Sequence, residues 1–233
     1  MSGDGTGAGP RFGQAGQRLR DSLVVLLAVE AGVVNVTSFL VLGKVFSSVI
    51  TGNLVVLGLA TATVQPGLAL RSGLALAGYS AGVLIGVPIA ARAGRQLWPQ
   101  AVTAALCAEL CLLLGFTACW EAGGGRASWH VALLVLLAVA MGVQSAAVSR
   151  LGRMSATYLT GTLTGTLTAL ITSNRPAGLW RDVGVVVAIG IGAGAGAALI
   201  HVAPSWLPAL TLLPLATVIA AASMVRWGDA ADH

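Results

Sequence analysis

The sequence predicts an all-α polytopic membrane protein, and three observations carry that prediction. Hydrophobic residues make up 56% of the 233 and charged residues only 9%, whereas about a quarter of a soluble domain is charged. The apolar runs reach about 20 residues, the length that takes an α-helix across a hydrocarbon core. All six tryptophans (Trp98, Trp120, Trp129, Trp180, Trp206 and Trp227) fall at the ends of such runs, where aromatic belts form at membrane interfaces.

Along the chain, residues 1–20 are rich in glycine and polar groups, with Arg11, Arg18 and Arg20 leading into the first apolar run. That composition predicts a disordered cytoplasmic tail. The first run is too long for a signal-peptide core, contains Glu30 and Asn35, and has no small-residue cleavage pattern after it, so a cleaved signal is rejected. Six segments read as spans: 22–42, 72–91, 101–120, 129–149, 183–203 and 206–225. Tryptophan anchors support four of them; the first two have none. Together they predict a single membrane domain over 21–226, followed by a short tail, 227–233.

Within this domain a short polar stretch occurs twice. Thr51-Gly52-Asn53 in the first half is echoed by Thr160-Gly161-Thr162 in the second, and each follows an apolar run bearing a Gly-plus-amide signature, Gly32 to Asn35 and Gly142 to Gln144. Gly32 set against Gly142 brings the Thr-Gly pairs into register with a one-residue gap. The chain therefore reads as two pseudo-symmetric repeats, about 22–120 and 129–226.

Whether the Thr-Gly segments span is a separate question. Residues 45–64 are apolar enough to cross, while 155–172 hold seven threonines and suit either a polar helix or a re-entrant or broken segment inside the protein. If both span, with the N-terminus inside, Lys and Arg divide eight inside to five outside; if neither does, ten to three. The positive-inside rule favours six spans plus two inserted segments entering from opposite faces, with eight spans as the alternative. Glycine ladders, Gly78-Gly82-Gly86 and Gly190-Gly192-Gly194-Gly196, predict close helix packing within the chain, with a homo-oligomer face as the second use.

The candidate chemistry is concentrated at mid-membrane. Glu30 and Glu109 are ionisable groups in spans, which are costly unless paired, neutralised or facing a cavity. They are candidates for proton or ion coupling; Glu30 reads equally as an interfacial carboxylate held by a cytoplasmic arginine. Asn35 and Gln144, with Thr51, Gly52, Asn53, Ser145, Thr160, Gly161, Thr162 and Thr164, form a mostly neutral polar set suited to a small neutral or weakly charged solute or to ion coordination by oxygen. Their alternative role is interhelical hydrogen bonding that cements the halves.

Several classes find no support. The +5 net charge comes from arginines set singly or in pairs between apolar runs, with Lys44 the one lysine, a topology pattern rather than a nucleic-acid footprint. Cys107, Glu109 and Cys111 look like metal ligands, but the carboxylate leaves the face the cysteines share and no histidine is near in sequence, so no metal site is assigned. No H-E-x-x-H, G-x-S-x-G or P-loop pattern is present. No cofactor is expected, and an intramembrane enzyme, resting on Glu30, Glu109, His130 and His201, ranks third.

These residues resemble the YoaK family (DUF1275) of bacterial inner-membrane proteins. The first signature, similar to Gly-x-x-Asp-Ala-x-Ser-Phe followed by Thr-Gly-Asn, reads here as Gly32 through Phe39 and then Thr51-Gly52-Asn53. The second, similar to Met-Gly-x-Gln-Asn-Ala with Arg-Leu and Leu-Thr-Gly-Thr-Leu-Thr, reads as Met141 through Ala146, Arg150-Leu151 and Leu159 through Thr164. Asn35 replaces the family Asp, and Ser145 replaces the Asn after Gln, which bears on any coupling that the Asp performs. The resemblance implies about six spans in a bacterial plasma membrane and leaves the activity unassigned. The leading expectation is a small-solute transporter or channel-like protein with its polar centre at the repeat interface; the alternative is a non-transporting membrane scaffold or partner-binding protein.

Overall fold

The computed structural model describes residues 14–91, 97–123, 126–151, 161, 164–165, 168, 171 and 179–231. Seven longer helices run through them: α1 (Gln14–Val41), α2 (Ile50–Ala62), α3 (Pro66–Ala90), α4 (Gln100–Gly123), α5 (His130–Ser149), α6 (Leu179–Val202) and α7 (Leu207–Ala231). All except α2 are long and apolar enough to cross a membrane, six candidate spans among the described residues. They coincide with the six predicted spans. The largest difference is at α1, which begins at Gln14 rather than at 22, so that 14–20, expected in the disordered tail, are helical; α3 also starts earlier, at Pro66, whose missing N–H costs nothing in the first turn.

The 13 residues of α2 rise only about 20 Å, short of the roughly 30 Å core. The eight-span alternative therefore fails for 45–64. Both ends of this segment are marked by backbone turns. α1 closes in a Schellman turn: Gly43 takes φ 121° and Lys44 φ 62°, and the Lys44 N–H donates to the Phe39 carbonyl at 3.0 Å. α2 closes in the same way at Val64 (φ 54°), with the Gln65 N–H donating to the Ala60 carbonyl at 2.8 Å. Gly43 lies against Arg71, since a Cβ there would come within 2.9 Å of Arg71 Nε. The end of α1 and the start of α3 are thus neighbours, with the short helix between them.

Two helix pairs form the body, α1 on α6 and α3 on α5; α4 and α7 complete it, packed on α5 and α1 and on each other. Lipid tails are as apolar as leucine, so burial alone gives helices little reason to associate, and close backbone approach becomes the main source of contact energy. Glycine supplies it. A Cβ on Gly32 would strike the Ile189 carbonyl and come within 2.8 Å of Ala193 N; one on Gly142 would strike the Tyr79 carbonyl and come within 2.8 Å of Val83 N. Gly82 abuts the Val139 carbonyl and Gly192 the Val29 carbonyl, while Gly86 and Gly196 face Ala146 and Val36.

The second predicted ladder divides. Gly192 and Gly196 pack on α1, whereas Gly190 and Gly194 meet nothing within 4 Å, because positions two apart on a 3.6-residue helix face nearly opposite ways.

Two outcomes follow. Single cysteines at Lys44 and Arg71, with the native cysteines replaced, should be modified by an impermeant thiol reagent from the same side of the membrane; opposite sidedness refutes the placement of α3. Gly32→Val or Gly142→Val should destabilise the protein by about 2 kcal/mol or more through overpacking, while Gly190→Val should stay within about 0.5 kcal/mol, as read from melting in detergent.

Candidate functional site

Three helices bring a polar cluster together: Glu30 from α1, Glu109 from α4 and Gln144 from α5. The two glutamates are completely buried and Gln144 nearly so. Gln144 Nε2 donates to Glu30 Oε2 at 3.1 Å and to Glu109 Oε1 at 2.9 Å, so those two carboxylate oxygens are no further apart than the sum of these lengths. Glu30 Oε1 and Glu109 Oε2 accept from no other donor among the described residues, and the two carboxyl groups lie within hydrogen-bond reach of each other.

No cationic side chain among the described residues forms an ion pair with either glutamate. The ion pairs there join Asp21 to Arg20 and Arg181, and Arg181 to Asp182. The arginine partner considered for Glu30 is thus not found among the described residues. Glu30 lies nine residues beyond Asp21, about 13 Å along the helix, near the middle of the span. Two carboxyl groups in such a place are either neutralised by a proton or held charged by a cation beside them, because an unpaired buried charge is too costly.

A cavity of about 20 Å³ adjoins the cluster between α1 and α5. Its polar edge is Ser48, Gln144 and Ser145, and Ala31, Met141 and Val185 are among its apolar walls. That is room for a water molecule. Gln144 therefore has two neighbours, the carboxylates and the cavity.

The other predicted amides do different work. Asn35 Oδ1 accepts from the Ser48 N–H at 3.0 Å and from the Ser47 hydroxyl at 3.2 Å, while its Nδ2 donates to Ser48 Oγ at 2.7 Å and to the Ala31 carbonyl at 2.8 Å. Asn53 Nδ2 donates to the Phe46 carbonyl at 2.6 Å and Oδ1 accepts the Phe46 N–H at 2.8 Å. Both amides are committed to the loop 42–49, which would otherwise bury unpaired backbone groups. They draw it back alongside Asn35, six residues short of the end of α1. Phe46 stacks on Phe39 with centroids 4.9 Å apart, and Lys44 Nζ sits 5.3 Å from the centre of the Phe39 ring. An Asp at position 35, as in the family pattern, would accept the Ser47 and Ser48 bonds when ionised but has no donor for the Ala31 carbonyl.

Thr51 is exposed. Gly52 fits beside Val49 and Phe46, where a Cβ would approach 3.2 and 3.3 Å. Gly161 is helical and exposed, with open space around it; Thr160 and Thr162 lie outside the described residues. Cys107 and Cys111 are exposed while Glu109 points inward, and no group of three or more His, Cys, Asp or Glu side chains converges among the described residues. Ser145, read from the sequence as part of the polar centre, lines the cavity, and so does Ser48, which the sequence reading did not single out. A signal for the cluster was present: 23–33 and 133–143 differ only at Val24/Leu134, Glu30/Ala140 and Ala31/Met141, so Glu30 breaks a near-perfect repeat.

The glycine signatures, the loop amides and the buried cluster all lie within residues 23–224, which match a family model described as "Protein of unknown function (DUF1275)". The chain belongs to the DUF1275 family. A curated relative, the UPF0700 transmembrane protein YoaK of Bacillus subtilis (strain 168), is 40% identical over 146 residues, 62% of this chain and 64% of that protein. The match thus spans less than two thirds of that relative's length. No solved structure matches. With its six apolar helices, this DUF1275 member is a multi-pass membrane protein surrounded by lipid.

Asn53→Ala strands the Phe46 N–H and carbonyl, and should cost about 1–3 kcal/mol for each buried group left unpaired. Gln144→Leu should destabilise similarly by removing the amide between the carboxylates, and adding Glu30→Gln and Glu109→Gln should recover part of the loss. A mutant cycle on melting temperature measures that coupling; strict additivity contradicts a shared cluster.

Proposed function

We propose that the protein transports a small solute across a bacterial plasma membrane, and that Glu30, Glu109 and Gln144 form its proton- or cation-bearing centre. One observation carries this reading: two completely buried carboxyl groups, within hydrogen-bond reach of each other and with no cation beside them among the described residues, share one amide beside a polar-edged cavity. A brace needs no such pair, because amides hydrogen-bond across helices without the cost of burying charge. The N-terminus is placed on the cytoplasmic side, and 42–65 enters and leaves from the opposite face as a re-entrant segment. The reading assigns no catalytic chemistry.

The second reading is a membrane scaffold without transport. It is favoured by Asn35 and Asn53, whose hydrogen-bonding groups are engaged in shaping the loop.

Binding of sodium, potassium and protons to the purified protein in lipid nanodiscs separates the two. The transporter reading expects the wild type to bind one of them and E30Q/E109Q to lose that binding, with a small solute shifting the melting curve of the wild type. A melting curve that no cation, pH change or solute moves differently in the two proteins decides for the scaffold.

A further inference from the structure

The backbone contacts of the two helix pairs correspond one for one at a constant displacement. Gly32 meets Ile189 and Ala193, and Gly142 meets Tyr79 and Val83; Gly192 meets Val29, and Gly82 meets Val139; Gly196 meets Val33 and Val36, and Gly86 meets Val143 and Ala146. Every residue of one set has its counterpart 110 positions away: 32 and 142, 82 and 192, 86 and 196, 79 and 189, 29 and 139. The α1–α6 and α5–α3 pairs are therefore the same unit built twice, each locked by backbone contact that leaves no room to slide. Within each pair the helices run in the same direction, since the contacts advance together along both.

The cavity between these units does not share that symmetry. Its helix walls are the Arg20-side half of α1, at Val24, Leu27, Ala28 and Ala31, and the Arg150-side half of α5, at Met141, Gln144, Ser145 and Val148, with Val185 of α6 beside them and Ser48 of the loop 42–49 at its edge. The same displacement turns the first group into Leu134, Leu137, Ala138 and Met141, and the second into Ala31, Val34, Asn35 and Ser38. At that counterpart place the chain is packed more tightly: Leu134, Leu137, Ala138, Val34 and Ser38 are all 0% exposed, against 2–6% for Val24, Leu27, Ala28, Gln144 and Val148, while Asn35 is half-buried as Ser145 is. The two halves are thus caught in unlike arrangements although their local packing is alike.

We propose that the protein alternates between this conformation and one in which the units exchange roles, closing the cavity on the Arg20 side and opening its counterpart on the Lys44 side. The walls of that counterpart are Val34, Asn35 and Ser38 of α1 and Leu134, Leu137 and Ala138 of α5. Ala31 and Met141 exchange with each other and line both. Leu27 and Ala28 map onto Leu137 and Ala138 without change of residue, so the closing surface is chemically the same on either side. Asn35 replaces Ser145 as the polar edge.

The cluster, by contrast, has no second copy. The counterparts of Glu30, Glu109 and Gln144 are Ala140, Ile219 and Val34. A single charged centre stays fixed near mid-membrane while access to it moves from one face to the other by rocking of two rigid units. This deepens the transporter reading and rests on it.

Spin labels on exposed positions test the exchange without disturbing the packing. With Cys107, Cys111 and Cys119 replaced, labels at Ser22 and Ser149 report the Arg20 side, and labels at Leu40 and Ser128 the Lys44 side; all four residues are exposed. In lipid nanodiscs each pair should give two distance populations several ångströms apart. A change of pH or cation that enriches the long distance in one pair should enrich the short distance in the other. One unchanging distance for both pairs under every condition overturns the proposal, yet leaves intact a cation-binding difference between wild type and E30Q/E109Q. Conversely, two anticorrelated populations without cation binding keep the exchange and remove the coupling.

Discussion

Backbone-to-backbone contact at four glycines, Gly32, Gly82, Gly142 and Gly192, is the constraint on which the rest of the structure depends. In lipid no solvent force drives helices together, so the order of packing follows whichever surfaces come closest. Because those glycines pair α1 with α6 and α3 with α5, the first helix of each half is paired with a helix of the other. α1 and α5 then face each other across a seam with few direct contacts. That seam holds the cavity and Gln144, and α4 supplies Glu109 from the flank.

The polar groups inside the membrane fall into two energetic kinds. Asn35 and Asn53 have their hydrogen-bonding groups engaged by the loop 42–49, and they solve a backbone problem: a loop that folds back against a helix buries carbonyls and N–H groups that must be satisfied. Glu30 and Glu109 solve none. Beyond Gln144 and each other they have no partner among the described residues, and their burial is a cost that packing elsewhere must offset. Residues that the fold does not need and yet retains at such a cost are where function is to be sought.

Much of the architecture could be read along the chain. Span lengths, tryptophan positions and the balance of arginines predicted six crossings, and the described helices follow those boundaries. Glu30, Glu109 and Gln144 were each recognisable as costly or polar groups in apolar surroundings. Their meeting was not, because nothing in local periodicity says which faces of α1, α4 and α5 turn toward one another. For the same reason Asn35 and Gln144, which look like equivalents in the two halves, serve different ends: one braces a loop and the other bridges two acids.

What the sequence by itself determined is the set of crossings, since transfer into lipid is a property of each segment's own composition and length. Which groups share a site was decided only by tertiary packing. The separation of Gly190 and Gly194 from Gly192 and Gly196, the return of residues 46–48 beside Asn35, and the convergence of two carboxylates on one amide all depend on the rotation of helices about their axes. That rotation is set by contacts between residues far apart in the chain.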